Sequence, residues 1–189
     1  DVTFDDSAAG STSVNLTTAL SPHSLNVSNT TRSYTFGGTG GLSGAAGLVK
    51  EGDGTLILQN SGVNDFTGGV AINGGTIQLG GSTDRLPVNS AVVLADVATA
   101  ALDLNGLNQT LGSLSGGGAS GGNITFGSGT LTVAGGGTFA GVISGTGLLI
   151  KTNPAGVGGG TLILSGANTY SGGTIVGGYT NATTLAVAN

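Results

Sequence analysis

The stretch Gly47-Leu48-Val49-Lys50-Glu51-Gly52-Asp53-Gly54-Thr55-Leu56-Ile57-Leu58, continuing to Asn64-Asp65-Phe66-Thr67-Gly68-Gly69, decides the fold. It returns as Gly147-Leu148-Leu149-Ile150-Lys151, Gly160-Thr161-Leu162-Ile163-Leu164 and Asn168-Thr169-Tyr170-Ser171-Gly172-Gly173. Each copy places a Lys after an apolar run. A Gly-Thr-Leu-Ile-Leu strand follows, then an Asn, an aromatic and a Gly-Gly turn. The copies lie near 47–80 and 147–189, and their spacing drifts: Lys50 to Lys151 is 101 residues, Thr55 to Thr161 is 106 and Asn64 to Asn168 is 104. Strand lengths hold while loop lengths change. That is expected of a repeat whose strands are walls and whose insertions bulge at corners.

Outside this repeat the chain keeps the same texture. Val2-Thr3-Phe4, Leu25-Asn26-Val27, Tyr34-Thr35-Phe36, Thr76-Ile77-Gln78-Leu79 and Thr130-Leu131-Thr132-Val133 alternate apolar and polar residues, the period of a half-buried strand. Asn73-Gly74-Gly75 and Asn105-Gly106 mark sharp corners. Ala91–Ala101 is the single place where a helix is allowed, because Val-Ala runs are ambiguous. With 40 Gly in 189 residues, helix is disfavoured elsewhere.

About twenty strands of three to five residues fit a parallel β-helix better than a sandwich, whose strands are longer. The expected fold class is all-β: a right-handed parallel β-helix (β-solenoid) of short strands with Gly/Asn corners, spanning 1–189 as one continuous segment. Inward positions are expected at Leu56, Leu58, Ile72, Ile77, Leu79, Leu102, Leu104, Leu131, Val133, Leu162 and Leu164. A coil cannot bury its apolar face alone, so stability comes from stacking on its neighbours. The open ends of such a stack invite self-association.

Charged residues make up only 7%, and the net charge is -5 with four Lys and Arg. This opposes nucleic-acid and anionic-membrane partners, which need clustered cations. Aromatics at 4% are too sparse for stacking platforms. With no Cys there are no disulfides and no thiolate metal sites. There is no run of about 18 apolar residues that would make a membrane span. The lack of Met fits a processed chain, a fragment or a repeating unit of a larger protein.

At the two copies the pattern Gly-x-Leu-x-Lys-x-Gly-x-Gly-Thr-Leu-x-Leu, with the later Asn-Thr-Tyr-x-Gly-Gly-Thr, resembles the autotransporter-associated β-strand repeat, also called the passenger-associated transport repeat. Asp103-Leu104-Asn105-Gly106-Leu107-Asn108-Gln109-Thr110-Leu111-Gly112-Ser113-Leu114-Ser115-Gly116 resembles the segment between such repeats. Copy one departs at Asp65-Phe66, where the family has Thr-Tyr, and copy two departs at the Asn153-Pro154-Ala155 insertion. The resemblance implies a right-handed parallel β-helix in a secreted or surface-anchored bacterial protein, as one section of a long passenger.

Residues that could carry chemistry are few. Gly118-Ala119-Ser120-Gly121-Gly122 matches a hydrolase elbow in letters, but no helix is expected after it and His23 is the only His. His23 alone makes no zinc site and reads as an exposed turn residue. Asp5-Asp6 has oxygen donors of the type calcium takes, without the nonapeptide of a calcium-binding β-roll. Asp53, Asp65, Asp96 and Asp103 are the carboxylates available to a glycosidase pair, and nothing clusters them in sequence. Lys50 and Lys151 read either as a site or cross-link, or as strand-end charges that blunt an edge. The second reading is preferred. Phe66 and Tyr170 match in the repeat and read as covers at the end of a coil, with sugar binding as the functional alternative.

Asn-x-Ser/Thr triplets occur at Asn15, Asn26, Asn29, Asn108, Asn123 and Asn181, and in a bacterial protein need carry no glycan. No residue is assigned a catalytic, cofactor-binding or metal role. The expected function is a structural, extracellular or cell-surface segment: a stalk, spacer or fibre/sheath subunit. The alternative is an adhesin module that recognises a glycan or surface through the loops Gly116–Gly122 or Asn153–Gly160. An enzyme is not expected.

Overall fold

A computed structural model describes residues 1–153, 160–178 and 183–187. Every ladder in it is parallel. The chain winds through about eight coils. The first four carry β1 (Val2–Asp5) and β2 (Ser13–Asn15), β3 (Leu25–Ser28) and β4 (Tyr34–Gly37), β5 (Leu48–Glu51) and β6 (Thr55–Leu58), and β7 (Val70–Ile72) and β8 (Thr76–Leu79). The next three carry three strands each: β9 (Ala91–Leu94), β10 (Ala101–Asp103) and β11 (Gln109–Leu111); β12 (Ser113–Gly116), β13 (Asn123–Thr125) and β14 (Thr130–Val133); β15 (Gly137–Phe139), β16 (Ile143–Ser144) and β17 (Leu148–Lys151). β18 (Thr161–Leu164), β19 (Thr174–Val176) and β20 (Thr184–Val187) complete the described strands.

Three sheets result. The first is nine-stranded, β1-β3-β5-β7-β9-β12-β15-β18-β20. The second is seven-stranded, β2-β4-β6-β8-β10-β13-β16, and the third is four-stranded, β11-β14-β17-β19. Successive coils are about 22 residues apart, since Leu48 pairs with Val70 and Val70 with Val92. The Ala91–Ala101 segment is a strand and a turn, not a helix. Val92 and Leu94 point inward while Ala91 and Val93 point out, and that alternation fits only an extended chain.

All eleven expected inward residues are buried. They form columns along the axis, such as Tyr34, Leu56, Ile77, Leu102, Ile124 and Ile143 through the seven-stranded sheet. Burying each Leu or Ile contributes about 1.5–3 kcal/mol. The 101- to 106-residue spacing is not a whole number of coils, so the second copy is turned by one face. β5 lies in the nine-stranded sheet, whereas its counterpart β17 lies in the four-stranded one. Likewise β6 belongs to the seven-stranded sheet and β18 to the nine-stranded sheet. Most of the Asn153–Gly160 insertion, residues 154–159, lies outside the described residues.

Candidate functional site

Lys50 and Lys151 are not surface charges. Lys50 shares the parity of Leu48 on its strand, so its side chain enters the core, where it has no solvent exposure. Its Nζ donates to the carbonyls of Glu51 at 2.6 Å, Gly52 at 2.8 Å and Gly74 at 3.4 Å. Lys151 shares the parity of Leu149, is equally buried, and donates to the carbonyls of Thr152 at 2.6 Å and Ala134 at 3.1 Å. The strand-end reading is therefore corrected. The Glu51 carbonyl also accepts from Asn29 N at 3.2 Å, whereas the corner carbonyl of Gly52 has no backbone donor among the described residues, and a carbonyl turned inward needs one. The long Lys stem crosses the core and supplies one. Burial lowers the Lys50 pKa from 10.5 to about 8, against the pull of the Asp53, Asp6 and Glu51 carboxylates. Burial lowers that of Lys151 as well.

Amide side chains do the same work for N–H groups. Asn64 Oδ1 accepts from Leu42 N at 2.9 Å, and in the second copy Asn168 Oδ1 accepts from Ile143 N at 2.9 Å. Asn64 also exchanges hydrogen bonds with Asn60 and donates to the Arg85 carbonyl at 2.7 Å. Arg85 is buried too, with Nη1 on the carbonyls of Asn60 and Gly62 and Nε on that of Thr83. Sequence reading missed Asn60, Arg85 and Gln109. Gln109 makes two bonds to the main chain of Leu86, at 2.9 and 3.0 Å, in place of a further strand beside β11. Three of the four cations in the chain, Lys50, Arg85 and Lys151, are thus enclosed.

The carboxylates brace corners from outside. Asp6 accepts from the main-chain N–H groups of Thr30, Thr31 and Arg32 one coil on, and these bonds, Thr30 first, hold its pKa below the ordinary value. Ser7 lowers that of Asp5. Asp96 accepts from Ser120 N at 2.7 Å and Gly121 N at 3.0 Å. Asp103 accepts from Gln78 and from Asn105 N, and Asp53 accepts from the Thr99 hydroxyl. These carboxylates are distributed among corners and strand ends. Among the described residues there is no group of three or more His, Cys, Asp or Glu that could hold a metal ion.

Ser120 is exposed on a loop closed by Gly118 N to Gly121 O at 2.9 Å, and strand β13 follows it. His23, also exposed, lies four coils away, about 19 Å along the axis at one strand spacing per coil. The serine-hydrolase constellation is not assembled. Tyr170 is half-buried, 5.5 Å from the Phe126 ring, with its hydroxyl 2.6 Å from that of Thr174.

Phe66 is buried and forms the floor of a cleft of about 370 Å³ on the third face. The cleft lies ahead of β11, where that face is built from irregular chain, 63–67 and 84–90, and not from strands. Val63 and Val88 stand exposed at it, and Asp65 and Asp84 add carboxylates.

The passenger-associated-transport-repeat model matches residues 48–79 and 157–178. This chain carries passenger-associated transport repeats. The first match runs from β5 through β8, about one and a half coils of 22 residues, and includes the buried Lys50. The chain is also 37% identical, over 159 residues and 82% of its length, to the adhesin BmaC autotransporter of Brucella suis biovar 1 (strain 1330). It spans 4% of that relative's length. No solved structure is a significant match. Passenger repeats of autotransporter adhesins are extracellular or at the cell surface, and this segment is assigned there with them. Among the described residues no helix is long and apolar enough to cross a membrane.

Proposed function

We propose that the segment acts mechanically, as a stalk section that holds other parts of a bacterial surface protein away from the cell. The nine-strand parallel ladder carries this reading, because it runs through every coil with its inward columns filled. Each coil adds about 4.8 Å of length. Lys, Arg, Asn and Asp side chains are turned to closing corners, which suits a rod and leaves few polar groups for catalysis. The same allocation supports a non-enzymatic role.

The first coil leaves an apolar hollow of about 300 Å³ at the N-terminal end, lined by Val2, Phe4, Val14, Leu16, Leu20 and Phe36 among others. Another coil stacked there, from the same longer chain or from a second copy, covers that surface and extends the ladder from β1.

Electron microscopy of a series with adjoining coils added tests the stalk. Length should grow in proportion to coil number, and globular particles of constant length would overturn it. A glycan or surface module is the second reading, supported by the adhesin name of the relative. Specific glycan binding that disappears when Gly116–Gly122 or Asn153–Gly160 is replaced would favour it over a purely mechanical role.

A further inference from the structure

The cleft on the third face sets two exposed valines beside two carboxylates. Elsewhere the outward positions of the strands carry mainly small polar residues such as Thr and Ser, with occasional Val or Ile. Here Val63 is 72% exposed and Val88 43% exposed, above a floor of Phe66 and Leu86. The Asp65 carboxylate is exposed and accepts no hydrogen bond among the described residues. Asp84 uses one oxygen to accept from Thr110 N at 2.7 Å, leaving the other free of protein donors. The one cation beside them, Arg85, directs its guanidinium inward to main-chain carbonyls and is 7% exposed.

We propose that this cleft is a binding site for an extended, basic peptide segment, one that sets a Lys or Arg side chain next to an aliphatic one. The aliphatic group covers Val63 and Val88 over the Phe66 floor. The cation meets Asp65 at the rim, with Asp84 behind it. Charge complementarity supports this occupant over an acidic or neutral one. The chain has a net charge of -5 and encloses Lys50, Arg85 and Lys151, so its outer surface is more negative than composition alone conveys and draws cations toward it. The proposal is independent of the stalk reading, since a stalk can stand without it.

The test uses the 189-residue chain and a synthetic probe, acetyl-Leu-Lys-Val-Lys-Leu-amide, followed by amide chemical shifts. Shifts should concentrate at Val63–Thr67 and Asp84–Ser90 and weaken with added salt. The same peptide with norleucine for Lys should bind less well, and one with Glu for Lys should not bind. Asp65→Asn should weaken the Lys peptide about three- to fivefold, the worth of one exposed ion pair. Val63→Ser should weaken it while preserving the spectrum of the remaining coils. Asp65→Lys keeps the test open if either variant proves unstable, since it should reverse the preference toward the Glu peptide. Equal binding of the Lys and norleucine peptides, or shifts at any other surface, overturns the proposal. So do shifts at the cleft that follow protein concentration without peptide, because they make a second copy the occupant.

Discussion

Lys50 Nζ donates to the Gly52 carbonyl at 2.8 Å, so a charge carried by one strand closes the corner that ends it. The same ammonium reaches the Gly74 carbonyl one coil further on. Two successive corners are therefore tied to one side chain. Lys151, on another face of the solenoid, likewise bonds the carbonyl that follows it and one in an adjacent coil, there the preceding coil at Ala134.

Lys50→Met keeps the stem and removes the donor. The Gly52 carbonyl, held at 2.8 Å, then loses its donor, while that of Glu51 keeps the Asn29 N–H at 3.2 Å. The expected loss is about 1–3 kcal/mol, the cost of leaving a buried acceptor unmet, read as a lower urea midpoint. A Met variant as stable as the parent would mean that the ammonium repays only its own desolvation.

Titration of the same group gives a pH signature. Its folded pKa, about 8, lies below the ordinary 10.5, so between these values the unfolded chain binds more protons. Stability should rise with pH across that window and be flat below it, as far as this group is concerned. Lys151 moves in the same direction. Urea midpoints at several pH values between 7 and 10.5 should show a smaller slope in Lys50→Met than in the parent chain.

Gly75 stands over the ammonium with φ of 65°, and a Cβ built there meets the carbonyl oxygens of Gly54 and Gly52 first and Lys50 Nζ next, at 2.6 Å. Gly75→Ala should cost about 1–2 kcal/mol for the left-handed backbone alone, and more through the two crowded carbonyls and the displaced Nζ. In a double-mutant cycle with Lys50→Met only the Nζ share should shrink, the clash with the Gly52 and Gly54 carbonyls remaining, which gives a small coupling energy of the sign expected for relieved crowding. Independent, additive penalties would separate Gly75 from the Lys50 contact.

Asn64 and Asn168 hold matching positions and accept matching N–H bonds, yet their surroundings differ. Asn64 is buried and also serves Asn60 and Arg85, whereas Asn168 is half-buried and otherwise donates to Gly166. Asn64→Ala should cost about 2–4 kcal/mol and Asn168→Ala about 1 kcal/mol. Equal losses in urea titration would show that burial does not set the difference.

Asp96 braces the Gly117–Gly122 loop through Ser120 N and Gly121 N. Asp96→Ala should speed exchange of those two amides about tenfold, the equivalent of roughly 1.4 kcal/mol of local opening. Amides of β13 and β14 should be unchanged. Unaltered exchange at Ser120 and Gly121 would remove the brace.

Much of the wall was legible beforehand. Leu56 and Leu58, or Leu162 and Leu164, alternate with partly exposed Thr and Ile, and a period of two has a single geometric solution. Charge alone places the two Lys residues at the surface, whereas strand parity places them in the core. Leu48 and Lys50 are two apart, as are Leu149 and Lys151, and that spacing was the available signal. The cleft left weaker signs. Val63 and Val88 sit in unremarkable loop sequence, and neither shows that the chain segments around them lie one above the other.

The sequence by itself determined the rung: a short alternating strand, a Gly or Asn corner, and a core of stacked Leu, Ile and Val. Local sterics and the burial of alternate side chains suffice for that. The tertiary structure alone decided the phase, turning the second copy onto a different face, because coil length is the sum of many variable corners. It alone also decided where the polar side chains point. A corner carbonyl or N–H has no sequence signature, and its need for a partner arises only once the neighbouring coil has closed over it.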